Sequence, residues 1–134
     1  MMKQKRVIML IDDDKDDREL FAEALQEVDT EFELVTAKSG EQALEMIVQH
    51  NFIIPELIFL DLNMPGMNGW QCLAQIRKNK ALKDTHVIIY STTQRDEDNE
   101  RTKSFGATSF LTKPYRYTEL VDALADVMHA ALPK

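Results

Sequence analysis

Asp12 and Asp13, Asp61 and Asn63, Ser91 and Thr92, and Lys113 are the side chains whose types suit a shared chemistry. Carboxylates gathered without Cys or His ligands suit a hard, oxygen-seeking cation such as Mg²⁺. A lysine and hydroxyls beside that cation suit an anion bridging to it, and phosphate is the commonest such anion. These groups are scattered over about a hundred residues, so the elements that carry them must bring them together.

Each group directly follows an apolar run. Residues 7–11, 57–60 and 87–90 are continuously apolar, as strands buried on both faces should be. Residues 32–37 and 109–112 read as two more strands. Between them lie helical stripes. Leu20, Phe21, Ala24, Leu25 and Val28 share one face of a helix over residues 16–28. Ser39 with Gln42 forms a capping box before a helix carrying Ala43, Leu44, Ile47 and Val48. Trp70, Leu73 and Ile76 face inward from a third helix, which follows the turn cluster at residues 65–69. Leu120, Val121, Leu124, Val127 and Met128 do so from the last helix, over residues 117–131. Strand–helix alternation with apolar strands predicts an α/β fold, a parallel sheet covered on both faces. Ligands of such sheets bind outside the carboxyl ends of the strands, where every group named above is placed.

Composition narrows the classes. At 134 residues the chain is expected to be one domain over 1–134 without an output domain. A chain of this size buries about 68–70% of its unfolded surface, so the core needs no metal or disulfide staple. The 16 Lys+Arg against 23 Asp+Glu give a net charge of −7, which argues against sequence-independent nucleic-acid binding and against an anionic membrane surface. The apolar run at residues 7–11 is too short for a signal-peptide core or a spanning helix. The single cysteine, Cys72, excludes an intrachain disulfide and fits a cytoplasmic location.

Plainer readings compete for some residues. Asp14, Asp16 and Asp17 read as solvated acids of a first helical turn, where negative charge is favoured. Asp12, Asp14, Asp16 and Glu23 match positions of a calcium-binding EF-hand loop. The glycine that loop requires is replaced by Asp17, and a strand rather than a helix precedes it. Met64, Met67 and Trp70 read as packing. His50, His86 and His129 are scattered, and Cys72 has no basic partner that would activate it.

The acids after the first strand, the run Leu-Asp-Leu-Asn-Met-Pro-Gly-Met-Asn-Gly from Leu60 to Gly69, Ser91-Thr92 and Lys113-Pro114 together resemble the receiver domain of two-component response regulators. The likeness covers essentially the whole chain. It is of the single-domain type represented by the chemotaxis regulator and by phosphorelay carriers. It implies a flavodoxin-like (βα)5 doubly wound sheet of strand order 2-1-3-4-5, and phosphorylation by a histidine kinase or a histidine phosphotransfer protein. By that resemblance Asp61 is the phosphoacceptor. Asp13 is a direct ligand of Mg²⁺, Asp12 acts largely through water, and Asp61 and the backbone carbonyl of Asn63 complete the set. Lys113, Ser91 and Thr92 bind the phosphoryl group. Ser91 and Phe110 form the switch, and the Lys113–Pro114 peptide is cis. The output is a changed face made of the fourth strand, the polar segment 96–105, the fifth strand and the last helix, offered to a downstream protein.

Two other readings stand beside this one. A Mg²⁺-dependent phosphatase of the haloacid-dehalogenase type also forms an aspartyl phosphate, but its general acid would fall at Asn63, which cannot donate a proton in that role. A pseudo-receiver would bind partners without taking up phosphate, usually after losing an acid, the lysine or the hydroxyl. The resemblance is weakest at residues 96–104, which hold no aliphatic residue and leave Phe105 as the anchor. That segment is expected to be the most labile helix.

Overall fold

The computed structural model describes residues 6–29, 31–49, 54–64, 66–67, 69–92, 100–101 and 103–131. The elements alternate as the apolar runs require: β1 (Arg6–Ile11), α1 (Lys15–Val28), β2 (Phe32–Ala37), α2 (Gly40–Gln49), β3 (Leu57–Leu60) and α3 (Gly69–Lys78). A short 3₁₀ turn at Lys80–Leu82 precedes β4 (His86–Ser91), β5 (Ser109–Thr112) and the last helix (Tyr117–Ala131). All strand pairs are parallel, in the order β2-β1-β3-β4-β5. This is the order that the resemblance implied.

Two cores sit on opposite faces of the sheet because successive strand residues point to opposite sides. Ile8, Leu10, Leu57, Phe59, Ile88 and Tyr90 pack against Phe21, Ala24 and Leu25 of α1 and Leu120, Leu124 and Met128 of the last helix. Met9, Ile11, Ile58, Leu60, Val87 and Ile89 pack against Ala43 and Ile47 of α2 and Cys72, Leu73 and Ile76 of α3. Phe110 lies half-buried against this second core. The register pairs Ile89 with Phe110 and Ser91 with Thr112, so Ser91 and Phe110 share the α3 face of the sheet.

Two stripe residues depart from expectation. Leu20 is 45% exposed and Val48 69% exposed. Each is one step around its helix from a fully packed neighbour, Phe21 or Ile47, and that step of about 100° carries it off the contact line. Asp14 caps α1, its carboxylate accepting from the amides of Asp16 and Asp17 at 2.9 and 3.2 Å. One bond of the expected α2 capping box is formed, the Gln42 amide donating to Ser39 Oγ at 3.0 Å, while Gln42 Oε1 accepts at 2.6 Å from the amide of Lys38, one residue before the cap.

The expected polar helix lies partly outside the described residues, which omit 93–99 and 102. Glu100, Arg101, Lys103 and Ser104 are helical and exposed. Phe105, the expected anchor, is itself 38% exposed. It meets Trp70 edge-on at 5.5 Å, and the Arg101 guanidinium lies over the Trp70 ring at 4.3 Å. An exposed cation–π contact contributes about 0.5–1 kcal/mol, far less than a buried aliphatic stripe. The amides of Phe105 and Gly106, bonded to Arg101 O and Lys103 O, should therefore exchange with solvent faster than those of residues 120–128. Equal protection in hydrogen-exchange mass spectrometry would show that the aromatic contacts anchor this segment as firmly as a stripe.

Candidate functional site

The carboxyl ends of β1, β3, β4 and β5 lie side by side, and the side chains that follow them converge. Asp12 is fully buried and Asp61 is 5% exposed, while Asp13 is exposed. One carboxylate oxygen from each of the three lies within 4.8 Å of the others. The backbone aims them: the Asp12 amide donates to Ala37 O and the Asp61 amide to Ile11 O, each extending the sheet by one bond. The Asp14 amide donates to Asp12 Oδ1 at 3.0 Å and the Asn63 amide to Asp61 Oδ1 at 2.9 Å, so each carboxylate has one oxygen fixed by its own turn.

The second oxygens face Lys113. Its Nζ is 2.7 Å from Asp12 Oδ2, 2.8 Å from Asp17 Oδ2 and 3.2 Å from Asp61 Oδ2. The contacts to Asp17 and Asp61 are hydrogen bonds. The approach to Asp12 is close but poorly aligned, and Asp12 Oδ2 has no hydrogen-bond partner among the described residues. Burial pushes the Asp12 carboxyl up to about 6, against the pull of Lys113 and with the nearby Asp61 charge adding to the rise. Burial alone would lower the Lys113 ammonium. Its close contacts with Asp12 and Asp17 and the Asp61 charge outweigh that and raise it. The Tyr90 ring lies 5.3 Å from Nζ and is held edge-on by Phe21 and Phe59, giving the ammonium an aromatic floor.

Asp12, Asp13, Asp17 and Asp61 stand around one ammonium, so the cluster keeps an excess of negative charge that a further cation would offset. The donor set is all oxygen, which a divalent metal ion fits. Asp12, Asp13 and Asp61, the acids that the resemblance gives to the metal, meet in this cluster. Ser91 is fully buried, and its Oγ accepts from Asn63 Nδ2 at 3.1 Å. Thr92 is exposed at the rim. Thr93, Pro65 and Asn68 lie outside the described residues.

Two sequence expectations need correction. The Lys113–Pro114 peptide is trans, since the described residues contain no cis bond. Trans is favoured for X–Pro by about 0.5–1 kcal/mol, and Lys113 reaches all three acids from it while its amide bonds Ser91 O at 2.8 Å. Asp17, read as a dipole-favouring acid, occupies the first turn of α1 but turns its carboxylate onto Lys113. No local pattern could reveal this contact between residues 96 apart.

Gly69 sets the floor under Asp61. A Cβ there would sit 2.4 Å from Leu62 Cα and 2.6 Å from Asp61 O, both backbone atoms. Gly69→Ala should displace the Asp61–Leu62 backbone, cost about 1–3 kcal/mol of stability as an overpacked site does, and weaken metal binding. Urea unfolding and a metal titration check this, and wild-type values in both would show that the loop yields freely.

Residues 8–125 match the family model described as the response regulator receiver domain. Chemotaxis protein CheY of Halobacterium salinarum is 30% identical over 124 residues, 92% of this chain and 97% of its own. The Mn²⁺-bound form of response regulator Rcp1 is 28% identical and superposes with a TM-score of 0.82 over 96% of both chains. The phosphorylated cyanobacterial phytochrome response regulator RcpA, also 28% identical, reaches 0.87 over 97% of this chain and 96% of its own. In this family a divalent metal binds at the acidic cluster, and histidine kinases supply the phosphoryl group. No helix among the described residues is long and apolar enough to cross a membrane. With the acids, the lysine and the hydroxyl at the same strand ends, the chain belongs to the response regulator receiver domain family.

Proposed function

We propose that Asp61 accepts a phosphoryl group from a histidine kinase or a histidine phosphotransfer protein, and that the domain passes this event to a downstream protein in the cytoplasm. The observation that carries the reading is the Lys113 ammonium 3.2 Å from Asp61 Oδ2, in a cluster where Asp12, Asp13 and Asp61 bring carboxylate oxygens within 4.8 Å of one another. A carboxylate attacks an anionic phosphoryl group slowly because like charges repel. Asp12, Asp13, Asp61 and the Asn63 carbonyl would hold Mg²⁺, which would supply charge neutralisation on the transferring group. Lys113 provides the second positive charge and a donor for a phosphoryl oxygen. The protein's part is positioning and signalling rather than turnover of a separate substrate.

The switch follows from what surrounds Ser91. Its hydroxyl accepts from Asn63 Nδ2 and keeps its own proton to donate. A phosphoryl oxygen on Asp61 would draw that proton, and Ser91 would move toward Asp61. Phe110, half-buried on the same face of the sheet, would then follow into the space behind it. Beryllofluoride, a phosphoryl mimic, tests the reading. It should bind in one equivalent only with Mg²⁺ present, giving a bound ¹⁹F signal and a shifted emission of the single tryptophan, Trp70. Absence of both signals at saturating Mg²⁺ would reject the phosphoacceptor role.

A further inference from the structure

An ammonium has three protons to donate. Lys113 directs hydrogen bonds to Asp17 and Asp61, and the Asp17 bond is the shorter, 2.8 against 3.2 Å. Asp17 is not among the acids that could share a metal, which are Asp12, Asp13 and Asp61. It therefore holds the ammonium without belonging to the cation set. Its backbone is fixed, because Asp14 Oδ1 accepts from the Asp17 amide at 3.2 Å. Its side chain remains 34% exposed, so the carboxylate can turn to water at little cost.

Resting on the phosphoacceptor reading of Asp61, we infer that Asp17 is a positioning residue that competes with the phosphoryl group for Lys113. In the resting protein it occupies a donor that a phosphoryl oxygen needs. After phosphorylation its negative charge faces the new anion across one shared ammonium, at about 5 Å if both hydrogen bonds are of ordinary length. It thus lowers phosphoryl occupancy and favours return to the resting state. Asp17 acts through Lys113 and touches no reacting atom.

Removing the charge with little change of shape tests this. At saturating Mg²⁺, Asp17→Asn should bind beryllofluoride about tenfold more tightly than wild type, the scale expected for two like charges about 5 Å apart at a partly exposed site. The same variant should not bind Mg²⁺ more tightly, because losing a nearby negative charge never favours a cation. Asp17→Glu, which restores the charge, should return beryllofluoride affinity to within about threefold of wild type. Asp16→Asn supplies the control: Asp16 is a neighbouring exposed acid of the same turn, and its change should stay within about twofold. Unchanged or weaker beryllofluoride binding by Asp17→Asn, with wild type responding, would overturn the inference. So would an equal gain in Asp16→Asn, which would make the effect one of net charge. A wild-type protein that does not respond at all would instead overturn the phosphoacceptor reading beneath it.

Discussion

Asp61→Asn is expected to reduce acid-stable, hydroxylamine-sensitive labelling by acetyl phosphate or a cognate kinase to background. The amide keeps the shape of the carboxylate and the Oδ1 that accepts from the Asn63 amide, so the turn should survive. What it loses is the nucleophilic oxygen that faces Lys113. Failure to label would therefore report lost chemistry rather than a lost fold. Stability in metal-free buffer at pH 7 should not fall, because the Asp61 charge is one of the groups that disfavour ionised Asp12. Undiminished labelling of the variant would remove Asp61 from its assigned role. Loss of labelling together with a collapsed unfolding midpoint would leave only a structural role.

Lys113→Ala is expected to have the largest effect on stability. It removes the one cation that, among the described residues, lies against Asp12, Asp17 and Asp61, and leaves a fully buried carboxylate beside a second buried one. Breaking a buried pair from one side costs about 3–5 kcal/mol. The sign with pH follows from Asp12. Its carboxyl is raised in the folded protein to about 6, so its contribution to stability is complete below the ordinary carboxylate range and is lost as pH rises through that value. Without Lys113, which pulls it down, the rise should be larger. The deficit of the variant should therefore be greatest near pH 7 and should shrink toward pH 5 as Asp12 takes up a proton. Mg²⁺ should restore part of it by binding the folded state alone. Lys113→Met, which keeps most of the stem volume, should show the same pH dependence and so separate charge from cavity. Urea unfolding at both pH values, with and without Mg²⁺, reads all of this. A deficit that does not vary with pH would mean packing, not charge, holds Lys113 in place. Some phosphate should still reach Asp61 in the variant while partner binding is lost, since the ammonium reads the phosphoryl group as a point charge.

The primary sequence by itself determined the frame of the site. Apolar runs at residues 7–11, 57–60 and 87–90 dictate buried parallel strands, and a chain leaving such a strand delivers its next residues to one edge of the sheet. That is why the sequence places Asp12, Asp61, Ser91 and Lys113 at one edge: each follows a strand, the strands run parallel, and the apolar pattern reveals the strands. The order β2-β1-β3-β4-β5 came from the resemblance rather than from the pattern, because alternation alone does not rank neighbours in a sheet. Tertiary structure decided the partners. Lys113 has a long, flexible stem and several acids within reach, and only packing selects Asp17 as one of them. Packing likewise put Asn63 Nδ2 on Ser91 Oγ, stacked Arg101 over Trp70, left Leu20 and Val48 in solvent, and let a trans Lys113–Pro114 bond do what a cis bond was expected to do. Periodicity locates a residue to within a helical face or a strand end. The choice among hydrogen-bond partners a few ångströms apart depends on rotamers, and those are settled by every neighbour at once.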